Sequence, residues 1–255
     1  MRPDAEIASP DHTRDTLLDG AITLHQRRRG HRAGTDAVLL AAALTVRAGE
    51  TIIDMGAGTG AVGLIAASRM PDARLLLVER DPELAGLCAR NIAENGMAGR
   101  ALALCADALS GPFVAHASVD LVLTNPPFFE EGDAPASPTI DRASAHVMRE
   151  GGLALWLAAC LRMLRPRGPL ALIQRADKLD ACLRHLAPMA GSIVVRPVHP
   201  RAGADASRVI VTAVKGGRAA LRIAAPLFLH GENGRFTEAS DALHRGASFA
   251  SLGME

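Results

Sequence analysis

The sequence predicts an α/β protein: a mostly parallel, seven-stranded sheet that finishes in an antiparallel hairpin. Three observations carry this expectation. From about residue 36, short apolar runs alternate with longer helical patterns, as parallel strands joined by crossover helices require. A glycine-rich loop, DMGAGTG from Asp54 to Gly60, separates the first of these strands from the helix that follows. The last two apolar runs have only HPRAGADA between them, too short for a crossover helix, so they must pair antiparallel.

The elements follow in order. DAVLLAAAL reads as a helix, TIID (51–54) as a strand, GAVGLIAASR as a helix and RLLLVE (74–79) as a strand. PELAGLCARNIAENG is a helix ending at Gly96, and ALALCAD is the next strand. VDLVLTN is a buried strand that must stop at Asn125, because the two prolines after it cannot donate to a sheet ladder. GGLALWLAACLRML is a helix, followed by PLALIQR, the helical KLDACLRHLAPM, and the closing strands SIVVRPV and SRVIVTAVK. Dinucleotide-binding Rossmann domains lack such a terminal hairpin, whereas the Rossmann-like class I methyltransferase fold ends with it. The expected organisation is an N-terminal extension over residues 1–35, a catalytic-type domain over 36–225, and a tail over 226–255 that packs on or extends the same domain.

Bulk properties narrow the function classes. A hydrophobic content of 49% over 255 residues is ample for one large domain, and no apolar run approaches the length of a membrane span. The start carries charges without an apolar core, so no export signal is expected. Cys88, Cys105, Cys160 and Cys182 form no CxxC pair, and none of the nine histidines falls in metal-ligand spacing. A reduced, cytoplasmic setting without metal or membrane is the expectation, with monomer and homodimer both open. Net charge is +1, yet residues 192–222 hold six basic side chains against one acid, while residues 105–150 hold two against seven. HQRRRGHR, His25 to Arg32, adds a further basic cluster. Such clustering suits either a polyanion-binding face or an ordinary solvated surface.

Gly56, Gly58 and Gly60 follow a strand and open a helix, where backbone can approach a ligand closely and the helix terminus favours an anion. Glu79 ends the next strand and is placed to accept from a ribose diol. Gly58-Thr-Gly60-Ala-Val-Gly63 also spells GxGxxG, the dinucleotide fingerprint, so a nicotinamide oxidoreductase competes with a methyl-donor site read as DxGxGxG from Asp54. Asp107, after the third of these strands, either accepts from an adenine amine or serves as a turn aspartate. Asn125 to Phe128 ends the fourth strand on the same edge. Methylating the exocyclic amine of a planar base needs two acceptors against its two N–H groups. The side-chain oxygen of Asn125 and the carbonyl of Pro126, restrained by Pro127, can supply them. Phe128 offers a face for stacking, worth roughly 1–3 kcal/mol per base.

DMGAGTG together with NPPF resembles the class I S-adenosylmethionine methyltransferases that modify exocyclic or amide nitrogens. RRRGHRAGTDAVLLAAAL, HPRAGADASRVIVTAVKGGR and PLFLHGENGRFTEASDAL resemble, more narrowly, the tRNA(Val) adenine-N6 methyltransferase family, over about Leu17 to Leu243. The resemblance implies methylation of an adenine beside the anticodon, with S-adenosylhomocysteine as product. It implies a donor site at Thr35, Asp54, Gly56, Ala57, Gly58, Gly60, Glu79, Arg80, Asp107 and Ala108, although Thr35 also suits a helix cap. Asn125, Pro126, Pro127 and Phe128 would take the target base; relatives carry Tyr or Phe at the last position. Arg27, Arg28, Arg29, Arg32, Arg201, Arg208, Lys215 and Arg218 are the candidates for holding tRNA phosphates. Ribosomal RNA guanine or adenine and a release-factor glutamine are the alternative substrates. A non-catalytic nucleic-acid-binding module is the remaining class.

Overall fold

The computed structural model describes residues 11–30, 32–111, 113–127 and 152–254. The chain opens with an antiparallel pair, β1 (His12–Leu17) and β2 (Ile22–Arg27), and then α1 (Thr35–Ala41). An alternating series follows: β3 (Thr51–Met55), α2 (Ala61–Ser68), β4 (Arg74–Glu79), α3 (Pro82–Glu94), β5 (Ala101–Cys105) and β6 (Leu121–Thr124). After the described residues resume come α4 (Gly152–Met163), β7 (Pro169–Arg175), α5 (Leu179–Leu186), β8 (Ala190–Arg201) and β9 (Arg208–Lys215). The tail adds β10 (Arg222–Ile223), β11 (Leu227–His230) and α6 (Glu238–His244).

Among the described residues the main sheet runs β10-β8-β9-β7-β6-β3-β4-β5, with β11 also on β8. β7, β6, β3, β4 and β5 are mutually parallel, and β9 lies antiparallel between β7 and β8. The seven expected strands are all present, and the hairpin is antiparallel as the short connection demands. Two short tail strands widen the sheet to nine, both parallel to β8. Helix α1 is shorter than DAVLLAAAL suggests: it stops at Ala41, whose carbonyl accepts from the Arg69 guanidinium.

The central strands are apolar throughout because both faces are covered. On β3, Ile52 joins a core with α1, α2 and the N-terminal hairpin, while Ile53 and Met55 join a second core with α4 and α5. β6 ends at Thr124, one residue before the prolines begin to deny the ladder its donors.

Helix α3 shows how the hairpin is attached. Asp81 caps its start by accepting from the Glu83 and Leu84 amides, Pro82 occupies the first turn, and Gly96 at φ +66° turns the chain away from its end. One face of α3 then imitates a strand edge. Asn91 accepts the His25 N–H at 2.7 Å and donates to the His25 carbonyl at 3.1 Å and the Thr59 carbonyl at 2.8 Å. Asn95 repeats the pattern on Thr23, at 2.9 and 2.7 Å. The open edge of β2 is thereby closed by two side-chain amides rather than by another strand.

The tail is tied down by two arginines. Arg69, on the loop after α2, donates to the carbonyls of Gly246 and Ala247 as well as Ala41. Arg196 of β8 donates to the carbonyls of Ala225 and Met254 and lies 4.6 Å over the Phe249 ring. Burial pulls the Arg69 guanidinium down to about 10. No helix among the described residues is long and apolar enough to cross a membrane.

Asn91 is fully buried, so Asn91→Ala removes its bonds to three backbone groups, the His25 N–H and the carbonyls of His25 and Thr59. The expected cost is roughly 1–3 kcal/mol for each unsatisfied group. Urea unfolding monitored by circular dichroism measures it, and a midpoint within error of wild type would show that the hairpin is held by other contacts.

Candidate functional site

A cavity of about 520 Å³ opens at the carboxyl ends of β3, β4, β5 and β6. Thr35, Asp54, Gly56, Ala57, Gly58, Glu79, Arg80, Asp107, Ala108, Asn125, Pro126 and Pro127 all line it. Ligands of open α/β sheets bind at this edge. Of the residues singled out for the donor, Gly60 alone is not in the lining; Phe128 lies outside the described residues.

The reason Gly60 stays out of the lining is that it serves packing. It precedes α2 at φ +88°, and a Cβ there would meet Leu77 Cδ1 at 2.7 Å. Gly63 is tighter still, with Leu77 and Leu75 methyls at 2.5 and 2.8 Å from the Cβ it lacks. These two glycines seat α2 directly on β4. The GxGxxG spelling therefore reflects close helix–strand contact. Five amides of this segment are already committed inside the protein. Gly56 and Ala57 donate to the Val78 carbonyl, Gly58 to Glu79 Oε2, Gly60 to the Ala57 carbonyl and Gly63 to Asp54 Oδ2.

The acids have distinct settings. Asp54 is 1% exposed, and burial pushes its carboxyl up to about 7; the Gly63 N–H opposes the rise and the neighbouring Glu79 adds to it. Glu79 is half-buried at the end of β4, holding the Gly58 amide at 2.9 Å and the Asp81 amide at 2.9 Å. Asp107 is exposed and accepts the Leu109 N–H through one oxygen, so the turn reading and the lining position both hold. Cys88 lies beneath the loop, donating to the Gly58 carbonyl; burial, then the Asp54 and Glu79 charges, raise its thiol well above the ordinary range.

The sequence reading missed two structural partners of this site. Trp156 of α4, the chain's one tryptophan, crosses to the end of β6 and donates from Nε1 to Thr124 Oγ1 at 2.9 Å; that hydroxyl in turn donates to the Met55 carbonyl. It forms a wall of the cavity, and a Cβ on Gly56 would come within 3.0 Å of its ring. A single tryptophan in a helix shortly after NPPF was the available signal. The second is His244 of α6, whose Nε2 lies 3.3 Å from Thr35 Oγ1. Thr35 does not cap α1, since Gly34 occupies the cap position and Thr35 starts the helix.

The eight basic candidates do not gather on one face. Arg201 ends β8 and Arg208 starts β9, both on the cavity edge, whereas Lys215 ends β9 at the opposite edge and Arg218 follows it. At about 3.4 Å per residue, the length of β9 separates Arg208 from Lys215 by more than 20 Å. Several are engaged within the fold. Arg27 pairs with Asp81 and Glu83 at 2.8 and 2.5 Å, which holds Glu83 down to about 2. Arg32 pairs with Asp15 at 2.6 Å, Arg208 with Asp36 at 3.0 Å, and Lys215 donates to the Leu164 carbonyl at 2.7 Å. Arg28, Arg29, Arg201 and Arg218 are exposed.

Comparison with known proteins agrees with this geometry. Residues 32–169 match the family model described as Methyltransferase small domain. A Shewanella amazonensis protein named tRNA1(Val) (adenine(37)-N6)-methyltransferase is 30% identical over 219 residues, 85% of this chain and 91% of that one. A protein of the same name from Aeromonas hydrophila is 31% identical across 72% of this chain and 77% of its own length. Matches to others of that name cover less: 63% of the Flavobacteriaceae protein and 60% of one from Porphyromonas gingivalis. Among solved structures, one described as a predicted O-methyltransferase from Agrobacterium tumefaciens superposes with a TM-score of 0.70 at 28% identity, covering 84% of this chain and 97% of that one.

The setting of Asp54 makes stability pH-dependent. The folded state holds this proton more tightly than the unfolded chain, where the ordinary value is 3.8. Its stabilising share is therefore complete at low pH and is lost as pH rises toward about 7. Asp54→Asn can still accept the Gly63 amide, so it is expected to unfold later than wild type at about pH 8 by on the order of 1–4 kcal/mol, with the gap shrinking toward about pH 4. Urea titrations at the two pH values decide it: a gap independent of pH would mean that another group titrates.

Proposed function

Because the chain belongs to the methyltransferase small domain family, we propose that it uses S-adenosylmethionine to methylate N6 of an adenine beside the anticodon of a tRNA. The names of its relatives supply tRNA(Val) as the tRNA and position 37 as the nucleotide. One observation carries the reading: the acid-lined end of the cavity and Asn125-Pro126-Pro127 share one space.

The cavity fits the donor on its own chemistry. S-adenosylmethionine bears a sulfonium, an ammonium, a carboxylate, a ribose diol and an adenine, and would supply an electrophilic methyl group. Thr35, Asp54, Gly56, Ala57 and Gly58 would hold its methionine end, with Gly60 shaping the loop. Glu79 and Arg80 would flank the ribose, and Asp107 and Ala108 the adenine. Gly60 and Gly63 of the GxGxxG spelling are accounted for by helix–strand packing, so they lend a dinucleotide no support.

The chain's own contribution to catalysis is position and polarisation. An adenine amine is a poor nucleophile because its lone pair is delocalised into the ring. The Asn125 side-chain oxygen and the Pro126 carbonyl accept its two N–H groups, drawing electron density onto the nitrogen, and Pro127 restrains the Pro126 backbone. Phe128 supplies the motif's ring. Once the new N–C bond has formed, the nitrogen is strongly acidic and loses a proton, so no general base is required. Two acceptors suit an amine, with its two N–H groups, better than the oxygen acceptor that the description of the Agrobacterium protein as a predicted O-methyltransferase would imply. Arg28, Arg29 and Arg201 are exposed, as is Arg32 in the cavity lining, and the reading gives these four the tRNA phosphates.

Methyl transfer from labelled donor to tRNA, ribosomal RNA and a protein extract, followed by nucleoside analysis, tests the reading. Label in N6-methyladenosine from tRNA is expected. Label in ribosomal RNA or in glutamine overturns the substrate, and label on a ribose oxygen overturns the nitrogen acceptor. Asn125→Ala is expected to lower kcat by at least roughly 100-fold with donor affinity unchanged; wild-type turnover would remove the polarising role.

A further inference from the structure

Resting on that reading, we infer that the tail carries a stacking platform for a single-stranded RNA nucleotide flanking the one that enters the cavity. Three rings form it. The Phe236 ring lies 5.1 Å from the His230 ring at 26° and 4.2 Å from the His244 ring at 17°. The stack ends at the cavity rim, because His244 touches Thr35, which lines the cavity.

Its parts are held by backbone. His230 Nδ1 lies 3.2 Å from the Pro200 carbonyl, and His244 Nδ1 lies 2.7 Å from the Ser240 carbonyl. Thr237 caps α6 by accepting from the Ser240 amide, which anchors the residue next to Phe236. Despite this rigid setting, Phe236 is 40% exposed. Both histidine rings stack on Phe236, so a further π surface would extend the stack over an outer histidine face, and Phe236 is the ring that holds the two histidines in line.

Charge indicates which kind. Arg201 pairs in register with His230 across β8 and β11, and Arg235 precedes Phe236. Both are exposed, and neither makes an ion pair among the described residues. Rings that take bases, flanked by cations that take phosphates, are the chemistry of single-stranded nucleic-acid binding. Glu232 and Glu238 share the segment, so the RNA backbone is expected on the Arg201 side. The target base must leave its loop to reach Asn125, and a neighbour stacked on this platform would hold the loop open.

The test uses an anticodon stem-loop RNA with 2-aminopurine at a nucleotide flanking the target. Phe236→Leu keeps apolar bulk but removes the ring, and Phe236→Tyr restores one. With leucine, KM for RNA is expected to rise roughly tenfold, with kcat and donor affinity unchanged and the quenching of 2-aminopurine on binding lost. Tyrosine is expected to restore both. Unchanged KM and quenching in the leucine protein overturn the platform while leaving the function standing. So does a joint loss of kcat and donor binding, which would mean that Phe236 only supports the tail. Failure of the wild-type protein to methylate any RNA sinks the function reading itself.

Discussion

The cavity exists because α2 sits directly on β4, with no side chain between Gly60 or Gly63 and the leucines beneath. That contact leaves the loop before α2 so close to the strand that its amides find partners at Val78, Glu79 and Asp54. The same closeness buries Asp54 and brings Gly56 against Trp156. A bulkier residue at either packing glycine would lift the helix, free the amides and hydrate the carboxyl. The burial of Asp54 and the internal commitment of five loop amides are thus two results of one steric fact.

Much of this was legible in the sequence, and the reasons differ by element. Buried parallel strands announce themselves as unbroken apolar runs, so β3, β4, β6 and β7 were clear, and NPP marked the end of β6 to within a residue. The antiparallel pair followed from chain length alone. The N-terminal hairpin was hidden because HTRDTL and ITLHQR mix polar and apolar residues, and its partner is a pair of asparagine side chains on a helix 66 to 72 residues away. Trp156 and His244 were missed for the same reason: their meaning lies in contacts across 32 and 209 residues, which no local pattern records.

Charge was the least legible feature. A run of basic residues in sequence looks like a surface, but strand direction distributes it. β9 carries Arg208 to the cavity edge and Lys215 to the far one, and acids from β1, α1 and α3 take up Arg32, Arg208 and Arg27. Composition counts positive charges; topology and pairing decide which of them a polyanion could meet.

The position of β9 has a consequence for how the molecule is made. β8 leaves the ribosome first yet occupies the outer place, and β9 must pass between it and β7. Until then β7 presents a bare, apolar edge to solvent or to a neighbouring nascent chain. The rim at Thr35 waits longer still, for His244. Synthesis order and spatial order are therefore opposed on this side of the sheet. The half that carries the glycine loop can form early, while the half that borders the opening is completed only once α6 has docked.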